Sequence, residues 1–515
     1  MRAFRILLVL IGLFVLLAVA LRVTHPLPDR SGIEHSVAMA PTTTTRLGAA
    51  TLSAAAGRPD LSGVAALADG REALAARALL ARAAEASIDV RYYIWQADTT
   101  GWLLLHEMHA AAERGVRVRF LLDDNGVPGL DNVLSALDAH PNIEVRLFNP
   151  FTLRRPKVLS WVFDFPRLNR RMHNKSMTVD GAVSIVGGRN IGDIYFAYGD
   201  GPAYVDLDVL AVGPIAEDTS RDFDRYWASA SAYPAGLLLS PAEDGLAELA
   251  ASAVAARQSL LGSEYLEAID RSPLVAQVLA GEAILEWTEV TIVSDDPAKG
   301  LGRIEREGLL LGQMQALLPQ AESRVDLVSA YLVPGTVGTE LLADLARSGV
   351  AVRLVTNALE ATDVLPVHSG WIRYRPQLLE AGVTILELRA RPGWAQGQGI
   401  AELFAGSSAS LHAKTLAVDE ARIFIGSFNF DPRAAALNTE MGVLIESPAI
   451  AAELTRRLDR QDAVYEVRRA ADGSLRWLEA RETGEVIEHR TEPNAGIVQR
   501  GLVRFLSWLP IERLL

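Results

Sequence analysis

The chain is predicted to be an α/β protein, two sandwich domains packed as a pseudo-twofold dimer behind an N-terminal membrane segment. Three observations predict this: an internal repeat at a separation of about 237 residues, strands alternating with helices inside each repeat, and an apolar run next to the first arginines. Its 515 residues allow two to four globular units at roughly 100 to 200 residues each. Half the residues are apolar and 22% are charged, which fits a packed core and excludes a disordered or fibrous chain. The absence of cysteine excludes disulfides, thiolate metal sites and a cysteine nucleophile.

Arg2 and Arg5 precede an apolar run from Ile6 to Leu21. At 1.5 Å per residue its sixteen residues span about 24 Å, short of a ~30 Å hydrocarbon core. A signal sequence cleaved near Ala18-Val19-Ala20 therefore competes with a retained anchor over residues 1–23. The basic flank marks the cytoplasmic side, which puts the rest of the chain on the exported side of the inner membrane. Residues 24–55, with three prolines and the run Thr42 to Thr45, lack periodicity and read as a tether.

Beyond it the organisation is a first domain over 56–260, a connector over 261–300, a second domain over 301–470 and a C-terminal extension over 471–515. Ser87 to Tyr93 matches Arg324 to Ala330, and each is followed by a helical pattern. Gly115 to Leu122 matches Gly349 to Thr356, each an apolar strand opened by a glycine that closes the preceding helix. Ile143 to Phe148 matches Val383 to Leu388. The alternation predicts a mostly parallel sheet in each half, covered on both faces.

Each repeat ends in the same skeleton: His-x-Lys, four residues, Asp, six residues, then Gly-Gly/Ser-x-Asn. It comprises His173, Lys175, Asp180, Gly188 and Asn190 in the first half, and His412, Lys414, Asp419, Ser427 and Asn429 in the second. Strand periodicity turns each histidine and lysine to one face. Two-residue turns at Asp180-Gly181 and Asp419-Glu420 would set His173 opposite Gly188 and His412 opposite Ser427, small partners that leave space for substrate. Asp180 and Asp419 complete the motif, although an aspartate at a turn commonly serves its own backbone. Displacing an alcohol from a phosphodiester needs a nucleophile on one side and a proton donor on the other, so each set is half an active site. One histidine attacks phosphorus as neutral imidazole; the other protonates the leaving oxygen. The lysines with Asn190 and Asn429 would surround the nonbridging oxygens. This chemistry calls for no metal and no cofactor. A single His-x-Lys means little; two copies in register within a whole-domain repeat carry the weight. His106 and His109, three apart on a helix, suit a metal pair but read more simply as helix surface.

The doubled motif resembles the phospholipase D superfamily, from about residue 57 to the C-terminus. Tyr93-Ile-Trp95, Leu121 to Asn125, Arg146 to Pro150, Asn169 to Lys175, Gly187 to Asp193, Ser294 to Lys299 and Ser427 to Arg433 narrow the resemblance to the cardiolipin synthase C branch. It implies two phospholipase D-type domains, His173 as nucleophile and His412 as acid/base. It also implies an acidic residue after each motif that bonds a histidine ring, at Asp208 and Glu440. His368, in Pro366 to Trp371, matches a string that touches substrate or packs in the core.

The same site serves nucleases, so the substrate needs its own argument. Leu153 to Arg171 carries Arg154, Arg155 and Lys157 with Arg167, Arg170 and Arg171 against the single acid Asp164, interleaved with Trp161, Phe163 and Phe165. Such a loop suits an anionic phospholipid membrane, and equally single-stranded DNA. From Ile497 to Leu509, Val498, Leu502, Phe505, Leu506 and Leu509 share a helix face with Arg500 and Arg504 near its margin, suiting a bilayer interface or a docked helix. The net charge of −13 disfavours nucleic acid. The expectation is a membrane-bound transferase that moves a phosphatidyl group through a phosphohistidine to a lipid alcohol such as phosphatidylglycerol. A hydrolytic phospholipase D is the alternative and a nuclease the third; an activating protein partner has no signature in the sequence.

Overall fold

The computed structural model describes residues 2–196, 203–304, 309–390, 409–459, 463–481, 483–512 and 515. The first sheet is built from β1 (Ser62–Leu67), β2 (Ser87–Tyr92), β3 (Arg117–Asp123), β4 (Ile143–Phe148), β5 (Ser176–Val179) and β6 (Val183–Gly187). A short strand, β7 (Ala203–Val205), leaves it before β8 (Asp208–Val212), β9 (Ala232–Pro234) and β10 (Glu286–Thr288) complete it. The order is β10-β1-β8-β6-β5-β2-β3-β4-β9.

The second sheet takes β11 (Val290–Ser294), β12 (Arg324–Ser329), β13 (Ala351–Asn357) and β14 (Thr384–Leu388). After β15 (Ala409–Leu411), which stands outside it, come β16 (Lys414–Val418), β17 (Arg422–Gly426), β18 (Met441–Ile445), β19 (Val464–Arg469), β20 (Leu475–Ala480) and β21 (Val486–His489). Its order, β11-β18-β17-β16-β12-β13-β14-β19-β20-β21, repeats the first from β1 to β9 and adds two strands at one edge.

Within the two large sheets, as described, only β2-β3-β4 and β12-β13-β14 run parallel. The expectation of mostly parallel sheets is corrected to mixed ones, because the hairpins that carry the motifs join neighbours through tight turns, which only antiparallel strands allow. One face of each sheet packs on helices. The other carries one helix in each half, Pro214–Trp227 and Pro448–Leu458, and beside it meets the partner sheet, where Val186, Val209 and Ala211 share a core with Ala417, Ile423, Ile425 and Val443. The repeat thus closes on itself as a pseudo-dimer.

Residues 261–300 are not a free connector. Tyr265, Ile269, Leu274 and Val278 pack into the first core, β10 joins the first sheet and β11 the second, so the chain changes sheets at Glu289. Likewise residues 471–515 donate β20 and β21 to the second sheet.

The N-terminal helix runs unbroken from Arg2 to Thr24, and its span Phe4–Thr24 is long and apolar enough to cross a membrane. These 21 residues reach about 31 Å, so the shorter sequence count is corrected by the helix continuing through Arg22. The tether after it is strapped to the first domain. Ala38 N–H donates to Asp224 (2.8 Å), Arg119 to the Ser36 carbonyl (2.7 Å) and Arg146 to the Glu34 carbonyl (3.1 Å). Arg46–Ala54 is a helix capped by the Thr45 side chain.

Candidate active site

Each catalytic-motif histidine sits on a segment that leaves its own sheet and bonds across the seam. His173 N–H donates to the Thr439 carbonyl (2.8 Å), and Thr439 N–H to the Arg171 carbonyl (2.9 Å). In the other half β15 pairs with β7, and the N–H groups of His412 and Ala413 both donate to the Val205 carbonyl (2.9 Å). The two imidazoles thereby line one cavity of about 570 Å³, together with Asn190 and Asn429. Oδ1 of each asparagine accepts from the backbone, Ile94 N–H (3.1 Å) and Tyr331 N–H (3.4 Å) respectively.

The carboxylates cross the seam too. His173 Nδ1 bonds Glu440 Oε2 (2.8 Å), and His412 Nδ1 bonds Asp206 Oδ2 (2.5 Å). A carboxylate only accepts, so Nδ1 carries a hydrogen in each ring and Nε2 faces the cavity, with a lone pair in the neutral ring and a second N–H in the imidazolium. The expected Asp208 touches neither ring. It is buried against Arg77 (2.8 Å) and Arg189 (3.4 Å). Strand register gives the reason: Gly187 pairs with Asp208 where Gly426 pairs with Gly442, so Asp206, two positions earlier, is the counterpart of Glu440.

Gly188 and Ser427 do not open space above the rings either. A Cβ on Gly188 would lie 2.1 Å from Asp206 Oδ1, so only glycine lets that carboxylate close in. Ser427 Oγ donates to Glu440 Oε2 (2.5 Å). The two-residue turn is also corrected: Val179 pairs with Val183 and Val418 with Arg422, leaving three residues in each loop. In those loops Asp180 and Asp419 adopt positive φ (53° and 55°) and face away from the cavity. Asp180 accepts from the N–H groups of Ala86 (2.8 Å) and Ser87 (3.0 Å), and Asp419 from those of Ser323 (2.7 Å) and Arg324 (2.9 Å). Burial pushes the Asp419 carboxyl up, but these donors hold it down at about 2. Both aspartates are hairpin anchors, which corrects their placement among the reacting groups.

Lys175 and Lys414 are 1% exposed, and each Nζ donates to the carbonyl of its own histidine. Burial, then the neighbouring charges, sets the titration of the site. Burial pushes Lys414 down to about 8 and Lys175 well below its ordinary value. It also pushes His412 down to about 4, with Lys414 adding to the effect, and His173 far down, with Lys175 and Lys414 adding. The carboxylates part company. Burial raises Glu440 to about 7, whereas for Asp206 the His412 ring, Lys414 and Arg189 overcome burial and hold it below the usual range. Arg189, which grips the Asp206 carbonyl (2.7 Å), has Phe428 as its counterpart in the second half.

Sequence reasoning passed over the tyrosines of the cavity. Tyr93 meets the His173 ring edge-on at 5.0 Å, and Tyr204 stacks on His412 at 5.0 Å. The hydroxyls of Tyr331 (2.7 Å) and Tyr204 (3.2 Å) donate to Asp363. Tyr93 stands in a string quoted above, whereas Tyr204, Tyr331 and Asp363 carry no spacing signal.

The basic loop is also corrected. Arg154 and Lys157 are neutralised by Asp124 and Asp131 and line no part of the catalytic cavity. Arg155 remains exposed beside Val158 and Leu159, and Phe165 projects from a helix, Ser160–Leu168, where a loop was expected. His106 stands outside a cluster of His109, Glu113 and His140. There His140 Nδ1 accepts from Asn142 N–H, leaving its Nε2 as the proton donor to Glu113 (3.1 Å) and unfit as a ligand in that tautomer. His368 is buried against Glu492 (3.1 Å), a packing role.

Comparison with known proteins agrees with this geometry. Residues 78–227 and 314–461 match the family model described as cardiolipin synthase, PLD-like domain. The chain is 43% identical to cardiolipin synthase C of Escherichia coli K12 over 91% of this chain and all of that one. It is 28% identical to cardiolipin synthase B of the same organism over 70% of this chain and 71% of that one. The crystal structure of phosphatidylserine synthase from Haemophilus influenzae Rd KW20 superposes with a TM-score of 0.58 at 15% identity, covering 90% of this chain and 100% of that one, a likeness of fold. The chain belongs to the cardiolipin synthase family of phospholipase D-like enzymes.

Proposed function

We propose that the protein joins two phosphatidylglycerol molecules into cardiolipin and glycerol. His173 Nε2 attacks the phosphorus of the first lipid, and His412 delivers its proton to the departing glycerol oxygen. In the second step His412 takes the proton from the hydroxyl of the second lipid. That oxygen then displaces His173 from phosphorus, which restores both rings. Lys175, Lys414, Asn190 and Asn429 stabilise the charge that develops on the nonbridging oxygens.

The observation that carries this assignment of roles is the unequal charge of the carboxylate partners. Ionised Asp206 raises the proton affinity of His412 against the burial that lowers it, whereas the raised Glu440 leaves His173 neutral and nucleophilic. A membrane-borne substrate is supported by the N-terminal helix, whose end is tied to the first domain by Arg22 on the Phe163 carbonyl (3.0 Å) and Asp164 (3.2 Å). That tie favours a retained anchor, with both domains on the exported side.

Purified protein given phosphatidylglycerol vesicles tests the proposal. Cardiolipin with an equal amount of glycerol is the expected product, and His173→Ala abolishes it. Phosphatidic acid as the main product would make the enzyme a hydrolase, and cleavage of oligonucleotides alone would make it a nuclease.

A further inference from the structure

A second cavity, of about 620 Å³, opens at the C-terminal end of the membrane helix. Its arginines come from three separate stretches of chain: Arg22 from the helix, Arg167 and Arg170 from the segment before His173, and Arg303 from the start of the second domain. Among the described residues Asp164 is the one acid in the lining, and it is already engaged by Arg22 and Arg167. Nη1 of Arg167 is buried with no hydrogen-bond partner. Arg170 donates to two carbonyls, Ala436 (2.9 Å) and Lys299 (3.4 Å). Burial pushes both guanidiniums below their ordinary value, so an anion held between them would be welcome. Beside the cations, Leu27, Phe163 and Leu301 supply an apolar wall.

We propose that this cavity is a second, non-catalytic lipid site, which takes the phosphate of an anionic phospholipid from the leaflet where the N-terminal helix ends. The placement argues for a lipid rather than a soluble phosphate. Arg22 lies in the last turn of the helix and His25 and Pro26 just beyond it, so with the helix in a bilayer the cavity lies at headgroup level. Guanidiniums in a fork match phosphate oxygens, and several convergent ones select anionic over zwitterionic headgroups. The site touches the catalytic cavity through one short segment. Arg170 grips Ala436, and Arg433, which lines the catalytic cavity, donates to the Asn169 side chain (3.0 Å) and carbonyl (2.9 Å).

The inference rests on the reading of the helix as a membrane anchor but not on the reaction, so it is tested in the full-length His173→Ala protein, where turnover cannot interfere. Native mass spectrometry from neutral detergent counts the lipids retained. Two dioleoylphosphatidylglycerols are expected per chain, and dioleoylphosphatidylcholine none in the second site. In Arg170→Gln/Arg303→Gln one of the two should bind about tenfold or more weakly, a loss of ~1.4 kcal/mol. Arg303→Gln alone, at an exposed side chain, should weaken it to a lesser degree. Retention of both lipids by the double variant at wild-type affinity would overturn the proposal. Displacement of the second lipid by millimolar inorganic phosphate or glycerophosphate would also overturn it, showing a site for a soluble anion.

Discussion

At the scale of single residues, two histidines with identical motifs differ because their surroundings differ. Arg189 beside Asp206 and Phe428 at the matching place near Glu440 give one ring an ionised carboxylate and the other a carboxyl raised to about 7. The pH dependence of the rate follows. As pH falls through about 7, Glu440 takes up a proton and His173 Nδ1 loses its acceptor; as pH rises through about 8, Lys414 loses its charge. Initial rates on phosphatidylglycerol should therefore trace a narrow bell with its maximum between these values. Lys414→Arg should move the alkaline limb upward, because guanidinium stays charged, and an unmoved limb would assign it to another group. The histidines, lysines and asparagines of the site were legible in the sequence because the repeat states them twice. The carboxylate was misplaced by two positions, since Asp206 and Asp208 share a strand face and only the register against Gly187 tells them apart.

At the scale of elements, the motif hairpins are anchored at their far ends. Asp180 ties the loop after β5 to the start of β2, so it stabilises the hairpin from outside the cavity. Asp180→Ala strands buried N–H groups and should cost on the order of 3 kcal/mol of unfolding free energy in denaturant titration. The bell-shaped profile of the folded fraction should stay in place; a shifted profile would return Asp180 to the reacting groups. Composition could not separate anchor from reactant, because an aspartate at a turn serves either purpose. The helix Ser160–Leu168 was hidden from sequence by Pro166, and the break it brings at Asp164 turns that carboxylate toward Arg22 and Arg167. The C-terminal helix Ile497–Leu506 is docked on the second domain by one side. Val503 packs against Leu359 and Leu365, while Ile497, Val498 and Phe505 stay exposed.

At the scale of the whole molecule, the duplicated sheet makes the enzyme, since neither half holds a complete site. The core between the sheets, with Val186 and Val209 on one side and Ile425 and Val443 on the other, sets the distance over which Glu440 and Asp206 reach across. The two α/β halves were readable from the repeat; the mixed strand directions and the exchange of segments across the seam were not, because β7 and β15 are short and pair only in the assembled fold. Peptide mass spectrometry after rapid alkaline quenching of enzyme mixed with phosphatidylglycerol tests the central claim most directly. A phosphatidyl adduct on the peptide carrying His173, and none in His173→Ala, is the predicted result. An adduct on His412, or product formation with no adduct on either histidine, would contradict the account.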